Sequence, residues 1–104
     1  MEIKEILTKL KEEIEKLYGK RFKNIVLYGS WARGEATDKS DIDVIVILKG
    51  KVIPGKEIDR MIDIITEINL EYGVLISIYP VSEDDYFTVN SPLLINARRE
   101  GIAA

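Results

Sequence analysis

The chain contains no cysteine, no histidine and no glutamine among its 104 residues. Without cysteine there is neither a disulfide framework nor a thiolate metal site. Without histidine the usual near-neutral general base and imidazole ligand are gone. Catalysis, if present, must run on carboxylates, Lys, Arg, Tyr, Ser/Thr or a metal held by oxygen. No apolar run approaches the ~20 residues that span a bilayer, so no membrane partner is expected. Large excess charge is missing too: 15 basic residues face 18 acidic ones, for a net charge of −3. A pI near 5.0 is not the footprint of a duplex-binding domain, and no direct nucleic-acid contact is expected. The opening residues, Met1-Glu2-Ile3-Lys4-Glu5, enter an amphipathic pattern directly, with no signal-peptide core, which makes the cytoplasm the expected compartment. The lack of glutamine, the excess of Ile over Leu and the abundant Glu and Lys lean toward a thermophile's composition.

What is present suits one small globular domain spanning residues 1–104. The hydrophobic fraction is 46%, too high for a disordered polymer. A chain this long hides roughly 65% of its unfolded surface on folding, enough for one modest core. Ile3, Ile6, Leu7, Leu10, Ile14 and Leu17 recur at helical spacing and predict an amphipathic helix over residues 2–18, capped by Gly19. Residues 24–28 read as a short buried strand ended by Gly29-Ser30. A turn or two of helix is expected over residues 31–36, then a polar loop. Residues 41–48 read as a strand that is apolar on both faces beyond Asp43, hence central in a covered sheet. A second amphipathic helix is expected over 56–72, ended by Gly73, and a third strand over 74–79, stopped by Pro80. Ser82 opens a helix start, residues 92–100 form a last helix, and the C-terminal Gly-Ile-Ala-Ala reads as a frayed end. This alternation predicts an α/β fold with a mixed central sheet covered by helices.

The chemistry concentrates in Gly29-Ser30 and, ten residues further on, Asp41-Ile42-Asp43. Side chains alternate along a strand, so Asp41 and Asp43 share a face at the strand's mouth. Two ionised carboxylates so close repel each other, and a divalent cation resolves the conflict. Oxygen-only ligands favour Mg²⁺ or Mn²⁺; Mg²⁺ takes one or two carboxylates and completes its shell with water and substrate phosphates. Gly29 lets a phosphate approach the main chain, and Ser30 adds a hydroxyl donor. A helix starting there would aim free N–H groups at the phosphate. Arg33 suits either a charge-assisted phosphate contact or a salt bridge to Glu35 or Asp38. Tyr28 and Trp31 flank the corner, as base-stacking groups or as ordinary packing. Trp31 is also of the type that anchors partners.

The run Gly29-Ser30-Trp31-Ala32-Arg33-Gly34 through Ser40-Asp41-Ile42-Asp43 resembles the signature of the DNA polymerase beta nucleotidyltransferase superfamily. More narrowly, it is similar to the minimal nucleotidyltransferases, the MNT class, and the resemblance covers essentially the whole chain. It implies a polymerase-beta-like fold, NTP binding through two Mg²⁺ ions, and transfer of a nucleoside monophosphate, AMP from Mg·ATP, to a hydroxyl acceptor. Asp41 and Asp43 match the metal ligands, and Gly29 and Ser30 the triphosphate corner. Minimal members often pair with a HEPN-domain helical protein as a toxin–antitoxin system. They neutralise that toxin by docking or by modifying one of its tyrosines. With no second domain to hold an acceptor, a second protein or a second copy of this chain must complete the cleft.

One position departs from the pattern. Active members of the superfamily carry a third carboxylate on the neighbouring strand, where the matching residue here is Ser77. Glu71, Glu83, Asp84 and Asp85 lie outside that strand and read as surface charge and helix capping. Losing a general base costs ~10²–10⁴ in rate. The alternative reading is therefore a catalytically weak or inactive antitoxin that works by complex formation.

Overall fold

The computed structural model describes residues 3–104. The elements run α1 (Ile3–Tyr18), a 3-10 turn (Gly19–Arg21), β1 (Phe22–Tyr28), β2 (Ile42–Leu48), α2 (Pro54–Tyr72), β3 (Ile76–Ser82), α3 (Glu83–Thr88), α4 (Pro92–Glu100) and β4 (Ile102–Ala103). The strands form one mixed sheet in the order β3-β2-β1-β4. β1 is antiparallel to β2 and β4, while β2 and β3 run parallel. This is the small mixed α/β arrangement that the alternation of elements implies.

The all-apolar run in β2 takes the interior position expected of it, and every β2 residue except Asp43 is buried. Its even-numbered residues, Ile42, Val44, Val46 and Leu48, face α1 and α2. There they pack with Ile6, Leu10 and Ile14 of α1, and with Met61, Ile65 and Ile68 of α2. Its odd-numbered residues Ile45 and Ile47 face the other way. They meet Val26, Val81, Tyr86 of α3, and Leu94 and Ala97 of α4. Each such aliphatic side chain contributes ~1.5–3 kcal/mol when fully buried.

The first core is closed at its edge by a polar tie. Glu57, the buried charged residue of α2, is 5% exposed. It accepts a hydrogen bond from the Tyr18 hydroxyl at 2.9 Å and lies 3.7 Å from the Arg21 guanidinium. Tyr18, not Leu17, therefore completes the buried stripe of α1, and Leu17 stays 44% exposed.

Three local expectations are corrected. Residues 31–36 form turns rather than helix. Arg33 N–H donates to Gly29 O and Glu35 N–H to Ser30 O, closing a single loop between two left-handed glycines, Gly29 and Gly34. β3 does not stop at Pro80 but continues to Ser82. Ile42 N–H donates to Leu75 O, so odd-numbered residues turn their main-chain groups toward β2 and even-numbered ones outward. The nitrogen of Pro80 thus faces the free edge, where no donor is needed. On that edge the Ile76 N–H is bound by the Asn69 side chain, so the edge is partly blunted. Finally, the C-terminal residues are not frayed: Ile102 and Ala103 pair with Leu27 and Val26.

Candidate active site

Three strand ends meet on the α3/α4 face: the end of β1 and the beginnings of β2 and β3. Tyr28 pairs with Asp43, and Asp43 pairs with Ser77. Residues directly opposite each other share a face, so Tyr28, Asp43 and Ser77 form one row across three strands. Helices α3 and α4 pack over Ile45 and Ile47 and against Tyr28, while Asp43 further along the row stays half-buried.

Asp43 is half-buried, and Asp41, just before the strand, is exposed. Burial pushes the Asp43 carboxyl above the usual carboxylate range, and the neighbouring Asp41 charge adds to the rise, while Arg33 opposes it. A bound cation would relieve both effects. Among the described residues no group of three or more His, Cys, Asp or Glu side chains surrounds a metal-sized space. An Asp pair fits an ion that leaves most of its shell to water and phosphate oxygens, as Mg²⁺ does.

Gly29 is fixed here by two requirements. Its φ is +72°, and a Cβ built on it would fall 2.5 Å from Asp43 Oδ2. The left-handed φ favours glycine, and a side chain there would push the Asp43 carboxylate aside. Ser30 follows in the same turn, half-buried. A cavity of about 190 Å³ opens beside them, lined by Tyr28, Gly29 and Arg33 and by Leu93, Asn96, Ala97 and Glu100 of α4. Arg33 lies within the influence of Asp43. Its Nε donates to Glu35 Oε1 at 2.6 Å, and its Nη1 is 3.9 Å from Glu100. The salt bridge to Glu35 is thus present, Asp38 takes no part in it, and the guanidinium still borders the cavity.

The remaining candidates separate. The Tyr28 hydroxyl faces the site; burial raises its pKa, with Asp43 and then Tyr79 contributing. Trp31 turns to the opposite face, against the α1/α2 core, with its indole N–H toward Ser40 O at 3.4 Å. There it lines a larger, mostly apolar cavity of about 740 Å³ with Leu7, Leu27 and Ile102. That larger cavity holds neither Asp41 nor Asp43. Glu83, Asp84 and Asp85 follow Ser82, which pairs with Leu48 at the far end of β2. Glu71 acts on the Tyr72 phenol together with Glu5 of α1, on the helix-covered side. No acid of β3 or its flanks joins the row.

Sequence reasoning missed the wall formed by α4. Leu93, Asn96, Ala97 and Glu100 recur at i, i+3, i+4 and i+7, the signal of one helix face. That pattern does not say what the face covers.

Residues 7–97 match the nucleotidyltransferase domain family. Two putative protein adenylyltransferases of Methanocaldococcus jannaschii are similar. One is 40% identical over 82 residues, covering 79% of this chain and 72% of the relative. The other is 35% identical over 77 residues, covering 74% and 77%. The chain belongs to the nucleotidyltransferase domain family. Solved structures share the fold. A putative nucleotidyltransferase from Sulfolobus solfataricus superposes with a TM-score of 0.62 at 18% identity, covering 97% of this chain and 83% of that one. A chain of a toxin–antitoxin structure with AMP-PNP gives 0.61 at 16% identity, covering 89% and 70%.

Proposed function

We propose that this chain transfers AMP from Mg·ATP to a hydroxyl of a partner protein, a tyrosine of a HEPN-type toxin, and so acts as an antitoxin. The observation that carries the reading is the contact between the Gly29 corner and Asp43, which leaves no room for a Cβ between them. A triphosphate on the corner would have its α-phosphorus beside the Asp pair. Support for an adenine nucleotide and for a protein acceptor comes from the relatives' names. Support for a toxin comes from the toxin–antitoxin neighbours.

In this reading Asp41 and Asp43 hold Mg²⁺, which supplies charge neutralisation along the triphosphate and at the departing pyrophosphate. Gly29 and Ser30 cradle the phosphates by main-chain approach and a hydroxyl donor. Arg33 exchanges a carboxylate partner for a phosphate oxygen. Ser77 stands where the superfamily's third acid would be and offers a hydroxyl beside the acceptor without acting as a strong base. The acceptor must then lose its proton without a carboxylate on β3, which suits a phenol better than an alkyl alcohol.

The test is incubation with α-labelled ATP, Mg²⁺ and a co-expressed HEPN partner. Label on the partner with wild type and none with Asp43→Ala is the expected result. The absence of that same carboxylate favours a second reading, neutralisation by docking alone. Toxin suppression by a folded Asp41→Ala/Asp43→Ala variant would select it over the first.

A further inference from the structure

The strand order assigns directions around Asp43. β1, with the Gly29 corner and Arg33, lies on one side of β2, and β3 lies on the other. If pyrophosphate departs over β1, an attacking hydroxyl must come from the opposite side, over β3. This rests on the nucleotidyl-transfer reading above. The hydroxyls that β3 presents on this face are those of Ser77 and Tyr79. Ser77 lies directly opposite Asp43, and its short side chain stays near the sheet surface. Tyr79 pairs with Ile45, one diagonal step from Asp43, a separation of ~7–8 Å that aromatic side chains reach across. It is 36% exposed. Its hydroxyl has no hydrogen-bond partner among the described residues. A phenol that spends no hydrogen bond on the described residues, near enough to Tyr28 to act on it, therefore stands on the acceptor side of the site.

We propose that Tyr79 is itself an acceptor, so that the chain transfers a nucleoside monophosphate from ATP to its own Tyr79 hydroxyl. Tyr79 Oη forms a bond to the α-phosphorus. The bond from that phosphorus to the bridging oxygen breaks, and pyrophosphate leaves with the electron pair. The phenolic proton passes to water, and the product is a phosphodiester at Tyr79. The transfer occurs within one chain, so its rate is independent of protein concentration. Modification places a nucleotide over Asp43 and Ser77 and closes the site to other acceptors.

The test uses the purified chain with Mg·ATP and no added acceptor, read by intact mass and peptide mapping. The wild type is expected to gain one nucleoside monophosphate at residue 79. Tyr79→Phe loses it, and Tyr72→Phe, on the other face, keeps it. Circular dichroism checks that the variants are folded. A second readout needs no turnover: tetranitromethane should nitrate Tyr79 in the free protein, and a Mg-bound non-hydrolysable ATP analogue should shield it. A wild type that binds the analogue yet gains no mass, or gains it at another residue, overturns the self-acceptor proposal and leaves the transferase reading standing. A wild type that does not bind the analogue overturns both.

Discussion

The two faces of the sheet start from similar strand residues and end differently. On one, α1 and α2 cover β2 from Ile42 to Leu48, and the polar groups drawn inside, Tyr18 and Glu57, satisfy each other. On the other, α3 and α4 pack over Ile45, Ile47 and Tyr28, and the row Tyr28, Asp43 and Ser77 runs on from them with Asp43 only half-buried. On the closed face the buried carboxylate of Glu57 has both Tyr18 and Arg21 as partners. The open half-face holds a carboxylate whose pKa is pushed up by burial and by Asp41. Both faces bury an apolar core, but only the second also carries a row of polar side chains that includes a half-buried carboxylate.

The largest expected effect breaks the closed face. Ile14 is fully buried against β2, and Ile14→Ala should cost ~2–5 kcal/mol of unfolding free energy through lost transfer energy and a cavity. Urea denaturation checks it, and a cost near zero would mean that α1 does not seal this face. Next comes Gly29→Ala, expected to cost ~1–3 kcal/mol because the new residue sits at a left-handed φ. Its methyl also displaces Asp43, so Mg·ATP affinity should fall with stability. Calorimetry on a still-folded variant separates the two effects.

Glu57→Ala removes the carboxylate acceptor of the buried Tyr18 hydroxyl and leaves it the longer contact to the residue 57 carbonyl, 3.4 Å away, at a cost of ~0.5–1.5 kcal/mol. Burial and Glu57 raise the Tyr18 pKa well above its ordinary value. The native state therefore keeps a proton that the unfolded chain releases near pH ~10. Wild-type stability should fall as pH rises past that point, and Tyr18→Phe should flatten the fall in thermal melts at alkaline pH.

The smallest effect has the opposite sign and belongs to the open half-face. Asp43→Asn removes a carboxylate whose folded pKa is raised, so it should slightly stabilise the free protein at neutral pH, an effect muted by the group's access to solvent. The sign follows from linkage: between the unfolded value near ~3.9 and the higher folded value the native state binds more protons, so stability falls as pH rises through that window. Above the window the loss persists, and Asn abolishes it. Millimolar Mg²⁺ should stabilise wild type and leave Asp43→Asn unchanged. Equal magnesium responses would sever the link between Asp43 and the cation.

Much of the closed face was legible as period. The α1 stripe and the two-sided apolar run of β2 dictate a covered central strand, whatever the loops do. That Gly29-Ser30 and Asp41-Ile42-Asp43 belong together was legible as a motif; the antiparallel pairing of Tyr28 with Asp43 that brings them into contact was not. The departures sit where tertiary context overrides local signals. Pro80 reads as a stop, but on an edge strand its missing N–H faces outward. Gly101 reads as a terminus, but Ile102 and Ala103 find the open side of β1. Trp31 adjoins the Gly-Ser corner in sequence, and the turn between Gly29 and Gly34 carries it to the opposite face. The α4 wall could not be read because a helical face does not name its partner.

The central claim is that the open half-face is a metal–nucleotide site organised by Asp43. The direct measurement is isothermal titration of Mg·ATP into wild type and Asp43→Asn under identical conditions. The account expects a single-site isotherm for wild type that requires Mg²⁺, and at least ~100-fold weaker binding for the variant, since disturbing even a ligand's supporting shell costs 10–100-fold. Binding of equal strength in both proteins, or none in the wild type, would contradict it.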